Sequence, residues 1–247
     1  MSHSSSLLGS HKIILSDVDS TNNFAAKLMN EGLGGHGSVI MAENQSNGRG
    51  QKGSIWQSEP KMNLLFSIIL CSEQLSKIKP IYINWIVSIS LVDFLRVYDI
   101  SAFIKWPNDI MIGEKKIAGI LIENKYHGSE LKQAIVGVGL NVNQNSFELS
   151  KATSMKIQTG ITYPLEELLN DFVFSFRKNE YLLSIKHKND LKNKYLECLF
   201  GLNKQRFFKV KSGKFEGEIV GVDDSGQLLI KSQGKQTAYQ NKQIQFL

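Results

Sequence analysis

The chain has little that could hold a metal or a disulfide framework. Its two cysteines, Cys71 and Cys198, are too few and too scattered for either a disulfide scaffold or a thiolate zinc site. The five histidines, His3, His11, His36, His127 and His187, show no metal-ligand spacing, so no metal held by protein side chains alone is expected. No apolar signal-peptide core follows a basic start, and every long apolar run is broken by Asn, Ser, Asp or Arg. These absences predict a cytoplasmic protein with no membrane span. A net charge of +6, from 29 basic and 23 acidic residues, favours anionic ligands or acidic partners. There is no clustered basic stripe or recognition-helix pattern, so nucleic acid is not singled out.

What is present is an ordinary globular composition, 42% apolar and 21% charged over 247 residues, enough for one large domain with a small one attached. Disorder is expected only in the Ser-rich start, Met1 to Ser10. The stretch Glu43 to Pro60 stands out as glycine-rich and basic between two runs that read as buried strands. Gly48, Gly50 and Gly53 let the backbone turn and approach a ligand, Arg49 and Lys52 add charge, and successive N–H groups could form an anion nest. Gly48-x-Gly50-x-x-Gly53 spells the dinucleotide fingerprint, but that motif needs a helix directly after it. Here Trp56, Pro60 and the strand-like run Asn63 to Leu70 follow instead. A Walker A loop is excluded because Ser54 stands where lysine is required, and no kinase His-Arg-Asp or Asp-Phe-Gly sequence occurs. The plain alternative is a basic surface loop.

The elements around this loop alternate in type. His11 to Val18 reads as a strand, followed by the N-cap-rich Asp19-Ser20-Thr21-Asn22 and a helix that Gly32 can end. Ser20, Thr21 and Asn22 therefore sit at a helix N-terminus, where at least one is expected to cap and others could bond a polar ligand. Gly37 to Glu43 is a second strand, delivering Gln45. Pro80 to Tyr98, apolar nearly all round, predicts a buried helix. Short strands are expected at Ala102 to Trp106 and Asp109 to Ile112, with a hairpin turn at Gly113-Glu114-Lys115 and a strand from Lys116 to Glu123. Pro107 removes a ladder donor, which re-aims Asn108 and Asp109 towards a site or simply makes a turn. Gly119 leaves room for a close backbone approach, and Ala134 to Asn143 is a further strand. Asn145 to Pro164 reads as a loop-rich connection, Leu165 to Ile185 and Leu191 to Phe200 as helices. From Gln205 onward, short strands separated by Ser-Gly, Asp-Ser-Gly and Gln-Gly turns predict a small all-β barrel. The expected fold is α+β, a mixed sheet with helices mainly on one face in residues 1–202 and the barrel in 203–247.

In order along the chain, Asp19-Ser20-Thr21-Asn22, Gly48-Arg49-Gly50-Gln51-Lys52-Gly53 with Trp56, Lys105-Trp106-Pro107-Asn108-Asp109, Lys116 to Glu123 and Gly137-Val138-Gly139-Leu140-Asn141 resemble the biotin protein ligases. The resemblance implies a class II synthetase-like biotin/lipoate ligase fold ending in an SH3-like barrel. It implies a two-step reaction as well: biotin and ATP form biotinyl-AMP with Mg²⁺, and a lysine of a biotin carboxyl carrier protein or domain then takes the biotin. Carried over, Ser20, Thr21, Asn22 and Gln45 resemble the groups that recognise the biotin ring, and Arg49, Gly50 and Lys116 the carboxylate and phosphate contacts. Gly48, Gln51, Trp56, Asn108 and Asn141 fall with Arg49, Gly50 and Lys116 among the ATP contacts, Trp56 matching an adenine-stacking tryptophan. Arg49, Lys116 and Asp109 are the implied catalytic residues, Asp109 near the acceptor lysine. Gln51 and Ser54 depart from a pattern richer in basic residues, which implies weaker retention of the adenylate unless Lys52 compensates. The short stretch before the first strand predicts no winged-helix DNA-binding domain, and dimerisation through the central sheet stays open. A lipoate or octanoate ligase shares the outline, and a non-catalytic module for an acidic partner is the alternative outside enzymes. The K-W-P-N-D cluster and the G-R-G loop with Trp56 favour biotin.

Overall fold

The computed structural model describes residues 8–148 and 151–247. The expected disorder of Met1 to Ser10 lies outside the described residues for positions 1–7. At its end the expectation fails, because Leu8 is buried in the core and Gly9 donates its N–H to the Gly37 carbonyl.

The chain forms β1 (Lys12–Val18), α1 (Thr21–Asn30), β2 (Val39–Gln45), β3 (Leu64–Leu70), α2 (Pro80–Val97), β4 (Phe103–Lys105), β5 (Asp109–Ile112), β6 (Lys115–His127) and β7 (Glu130–Leu140). It continues through α3 (Met155–Thr159), α4 (Leu165–Asn179), α5 (Lys188–Glu197), β8 (Gln205–Val210), β9 (Gly213–Val222), β10 (Leu228–Ser232), β11 (Lys235–Tyr239) and β12 (Gln245–Phe246). The first seven strands make one sheet in the order β1-β2-β3-β7-β6-β5-β4. Only the β1–β2 pair is parallel, so the sheet is mixed, as expected for this α+β fold.

Alternation along the strands decides what each face of the sheet carries. On β3, Leu64, Phe66, Ile68 and Leu70 pack with α2 and α4 in the main core, while Ile69 joins Ile40, Ile135 and the α1 residues Ala25 and Leu28 on the other face. Thus α2, α4 and α5 lie on one face, and α1 covers part of the other. Helix α2 is buried on nearly every side because it lies between the sheet and α4 and α5. By length and hydropathy it would suffice to cross a membrane, but 72% of that stretch is buried inside this fold. Phe172 of α4 ties the layers together, with its ring centroid 5.0 Å from Phe66 on β3 and 6.2 Å from Phe94 on α2. Phe172→Ala is expected to destabilise the fold by about 3–5 kcal/mol, read as a lower urea midpoint at unchanged slope.

The second sheet, order β11-β10-β9-β8-β12, is antiparallel throughout and accords with the expected small C-terminal β unit. It is joined to the first layer at the K-W-P-N-D segment. Trp106 Nε1 donates to the Gly226 carbonyl at 2.8 Å, and Lys105 Nζ lies 5.1 Å from the Phe246 ring. Trp106 and Pro107 are joined by a cis peptide.

Several element boundaries differ from expectation. The β6–β7 hairpin runs on through paired strands to His127 and Glu130, an extension hidden in the sequence because the outer half of β6 is exposed and lacks the apolar alternation that marks a strand. Within the stretch expected to be loop-rich lies α3, started by Ser154, whose Oγ accepts from Ile157 N, and ended by Gly160 at φ 77°. The helix expected over Leu165 to Ile185 stops at Asn179, and the next begins at Lys188 rather than Leu191.

Candidate active site

On the α1 face the sheet is bare where glycines fall in register. Gly119 of β6 pairs with Gly139 of β7, and Leu121 pairs with Gly137. Asp109 of β5 pairs with Gly119 on the far side, and Leu65 and Ser67 of β3 pair with Gly139 and Gly137. Past the end of α1, then, this face offers backbone where other strands offer side chains. A Cβ on Gly139 would sit 2.4 Å from Trp56 Cε2, and one on Gly119 would sit 3.0 Å from Trp56 Cζ3 and from Lys116 Nζ. The space expected at Gly119 for a neighbouring backbone is taken instead by the side chains of Trp56 and Lys116. Around this floor lies a cavity of about 230 Å³.

At one wall stands the start of α1. Ser20, Thr21 and Asn22 are all buried. None of them caps the helix as expected: Ser20 occupies the N-cap position without a side-chain cap bond, and Gln45 of β2 does the work instead. Its Oε1 accepts from Thr21 N at 2.8 Å and from Thr21 Oγ1 at 3.2 Å. Ser67 Oγ lies 2.7 Å from Thr21 Oγ1 and donates to Asn22 Oδ1 at 2.6 Å. The other end of the Asn22 amide donates to Glu123 Oε2 at 2.8 Å. This wall is a set of fixed donors and acceptors suited to a small polar ring.

The opposite wall carries charge. Lys116 Nζ is 2.6 Å from Asp109 Oδ1 and 5.3 Å from the Trp56 ring centroid. In a regular strand, residues three apart point to opposite faces, yet Lys116 lies over Gly119. A bulge explains it: β5 pairs Ile110 with Ala118 but Met111 with Lys116, so one extra residue on β6 turns the lysine to the cavity side. Asn108 donates its side-chain amide to the Ile120 carbonyl at 2.7 Å, pinning the K-W-P-N-D turn to β6. Lys105 is half-buried, and that burial pulls its pKa down while Asp109 and Glu114 pull it up.

The glycine-rich loop covers the floor. Of its glycines only Gly53 takes a left-handed φ, 83°. Gly48 and Gly50 are needed for space: a Cβ would lie 2.4 Å from the Trp56 carbonyl oxygen in the first case and 2.3 Å from Ser54 Oγ in the second. Part of the loop backbone is bonded within the loop: Gly50 N bonds Ser54 O, Ser54 N bonds Gln51 O and Trp56 N bonds Gly48 O. Gln51 Oε1 accepts from Asn241 Nδ2 at 2.7 Å, so the C-terminal unit holds the loop from outside. Arg49 donates to Glu123 through both terminal nitrogens, at 2.8 and 3.2 Å.

Ser20, Thr21, Asn22, Gln45, Arg49, Gly50, Gln51, Trp56, Asn108, Asp109 and Lys116 thus meet around one cavity. Gly48 stands behind the lining, and so does Asn141. The Asn141 side chain donates to the Thr153 carbonyl at 2.9 Å, fastening the segment whose Thr153 N bonds Lys116 O. Ser67 and Glu123 lie outside the expected site residues, and a lone serine inside the apolar run of β3 is the signal that marks the first. Gly137 and Gly139 belong to a motif but carry no expected role. Their spacing of two, which puts both on one face, was the signal available.

Residues 15–141 match the profile of the Biotin/lipoate A/B protein ligase family. The chain belongs to that family. Among members of this ligase family, it is similar to the bifunctional ligase/repressor BirA of Bacillus spizizenii, 27% identical over 92% of this chain and 71% of that protein. It is likewise similar to the biotin--[acetyl-CoA-carboxylase] ligase of Paracoccus denitrificans, 27% identical over 88% of this chain and 93% of that one. The biotin protein ligase from Aquifex aeolicus, solved in complex with biotin and ATP, aligns at a TM-score of 0.80 and 26% identity over 96% of this chain and 99% of that one.

Proposed function

We propose that this chain is a biotin protein ligase, which adenylates biotin and passes it to a lysine of a biotin carboxyl carrier protein or domain. The observation that carries the reading is the convergence of a polar wall and a cationic wall on a floor of glycine backbone, inside this family's fold. Bringing a carboxylate within ~4 Å of a phosphate oxygen costs about 4 kcal/mol at an effective dielectric near 20. Arg49 and Lys116 supply the charge that offsets this repulsion and orient the two anions.

In the first step a carboxylate oxygen of biotin bonds to the α-phosphorus of ATP, and the bond to pyrophosphate breaks. In the second the acceptor lysine, as its neutral amine, bonds to the acyl carbon; AMP leaves with the bonding electron pair and the amine loses a proton. Thr21, Asn22, Ser20 and Gln45 bind the biotin ring, while Trp56 is placed to stack on adenine once it swings off the glycines. Asp109 holds Lys116 in the free state and lies where it could take the proton of the acceptor amine. Mg²⁺ held beside the ATP phosphates would neutralise part of their charge, and a few oxygen ligands there would suffice to hold it. Among the described residues no cluster of His, Cys, Asp or Glu could hold a metal by itself, and the cavity-lining Asp109 carboxylate is an oxygen donor of the right kind. A cytoplasmic site of action fits a reaction that consumes ATP. The outer edge of β1 has no strand neighbour among the described residues, which supports a homodimer through the central sheet.

The test is pyrophosphate release from ATP, with biotin and lipoate as parallel substrates. Release with biotin is the expected result. Release with lipoate alone would move the chain to the sister ligases, and release with neither acid would leave a binding module.

A further inference from the structure

Glu123, near the middle of β6, links the two walls of the cavity without lining it. Its carboxylate accepts Arg49 Nη2 at 2.8 Å, Arg49 Nη1 at 3.2 Å and Asn22 Nδ2 at 2.8 Å. Arg49 and Asn22 both belong to the biotin contacts under the ligase reading. The Asn22 amide is held at both ends, since Oδ1 accepts from Ser67 Oγ at 2.6 Å, and only one orientation of the amide satisfies both neighbours. Arg49 also donates to Asn23 Oδ1 at 2.7 Å, a neutral contact on the same guanidinium. The paired N–H bonds to Glu123 use the donors with which a guanidinium takes a substrate carboxylate or phosphate. In this state, therefore, the fork of Arg49 is occupied by a carboxylate of the chain itself.

We propose that Glu123 is a positioning residue for adenylation that acts through Arg49 and Asn22, its carboxylate standing in for the substrate anion until that anion exchanges with it. The inference rests on the ligase reading. Exchange is physically easy because the pair is half-exposed, with side chains 40% and 35% accessible, where such ion pairs are weak. An anion that displaces Glu123 restores the charge-assisted bonds of Arg49. A neutral ligand leaves the pair in place, so the cost of displacing Glu123 falls on the charged ligand alone. The same carboxylate keeps the Asn22 donor aimed and holds the glycine-rich loop down before substrate arrives.

Calorimetric titration of Glu123→Gln with biotin and with the uncharged biotin amide tests this. The affinity ratio of biotin over the amide is expected to rise by about three- to five-fold over wild type, the size of a half-exposed ion pair. In Glu123→Ala, which also frees Asn22, both ligands are expected to weaken while the ratio still moves towards biotin. In the ligand-free protein, amide hydrogen exchange across residues 48–54 is expected to quicken in both variants. An unchanged ratio, a ratio moved towards the amide, or unchanged loop exchange would overturn the proposal. A wild-type chain that binds neither ligand would overturn the ligase reading itself, an outcome separate from any behaviour of the variants.

Discussion

Lys116→Met is expected to lower biotin-dependent pyrophosphate release by about 10²–10³-fold in kcat, the usual cost of removing one charge aimed at a developing transition state. The lysine is aimed before substrate arrives. The bulge in β6 turns it over Gly119, and Asp109 holds its Nζ at 2.6 Å. Met fills nearly the same volume and keeps the stem against the indole of Trp56, so the change isolates the charge. Stability is expected to change by less than about 1 kcal/mol, because a partly exposed ion pair contributes little to folding. Steady-state kinetics with a melting curve on the same sample check both halves. A raised KM with unchanged kcat would show that Lys116 only binds ground-state substrate, and would remove it from the chemistry.

Gly139→Ala separates the site from the fold in the opposite way. The added Cβ would fall 2.4 Å from Trp56 Cε2 and 2.8 Å from its Nε1, so the indole must leave the floor. Trp56 sits on a surface loop and can move cheaply. Gly139 itself has no left-handed φ to lose, and alanine narrows the unfolded ensemble. Melting temperature is therefore expected to stay level or rise slightly, while kcat/KM falls about 10²-fold, as a misplacement near 1 Å does in a site built on orientation. Pyrophosphate release and differential scanning calorimetry on the variant decide it. Equal loss of activity and stability would show the glycine to be needed for the sheet rather than for the site. Gly137→Ala presses in the same way on Asn22 Oδ1, at 2.3 Å.

Much of this architecture was legible along the chain. The strand and helix of residues 12–30, the buried helix α2 and the short strands beyond Gln205 follow from period and turn residues. Most of the motif residues meet around one cavity, because each sits at an element boundary where a side chain is delivered to one end of a strand. Asn141 went elsewhere, since a residue just past a strand end can face the site or the neighbouring segment, and Thr153 claims it. Glu123 carries no local signal, because its partners are 74 and 101 residues away in sequence.

By itself the sequence determined most of the kinds of element, the absence of any motif for a protein-held metal, and the presence of a basic glycine loop between strands, all of which depend on neighbours a few residues apart. Only the tertiary structure decided which glycines face each other, that a bulge turns Lys116 over Gly119, and that Gln45 rather than a residue of α1 caps that helix. Those outcomes depend on strand register and on which face each strand presents. Register is set where distant strands pair, so it can be read only once they have met.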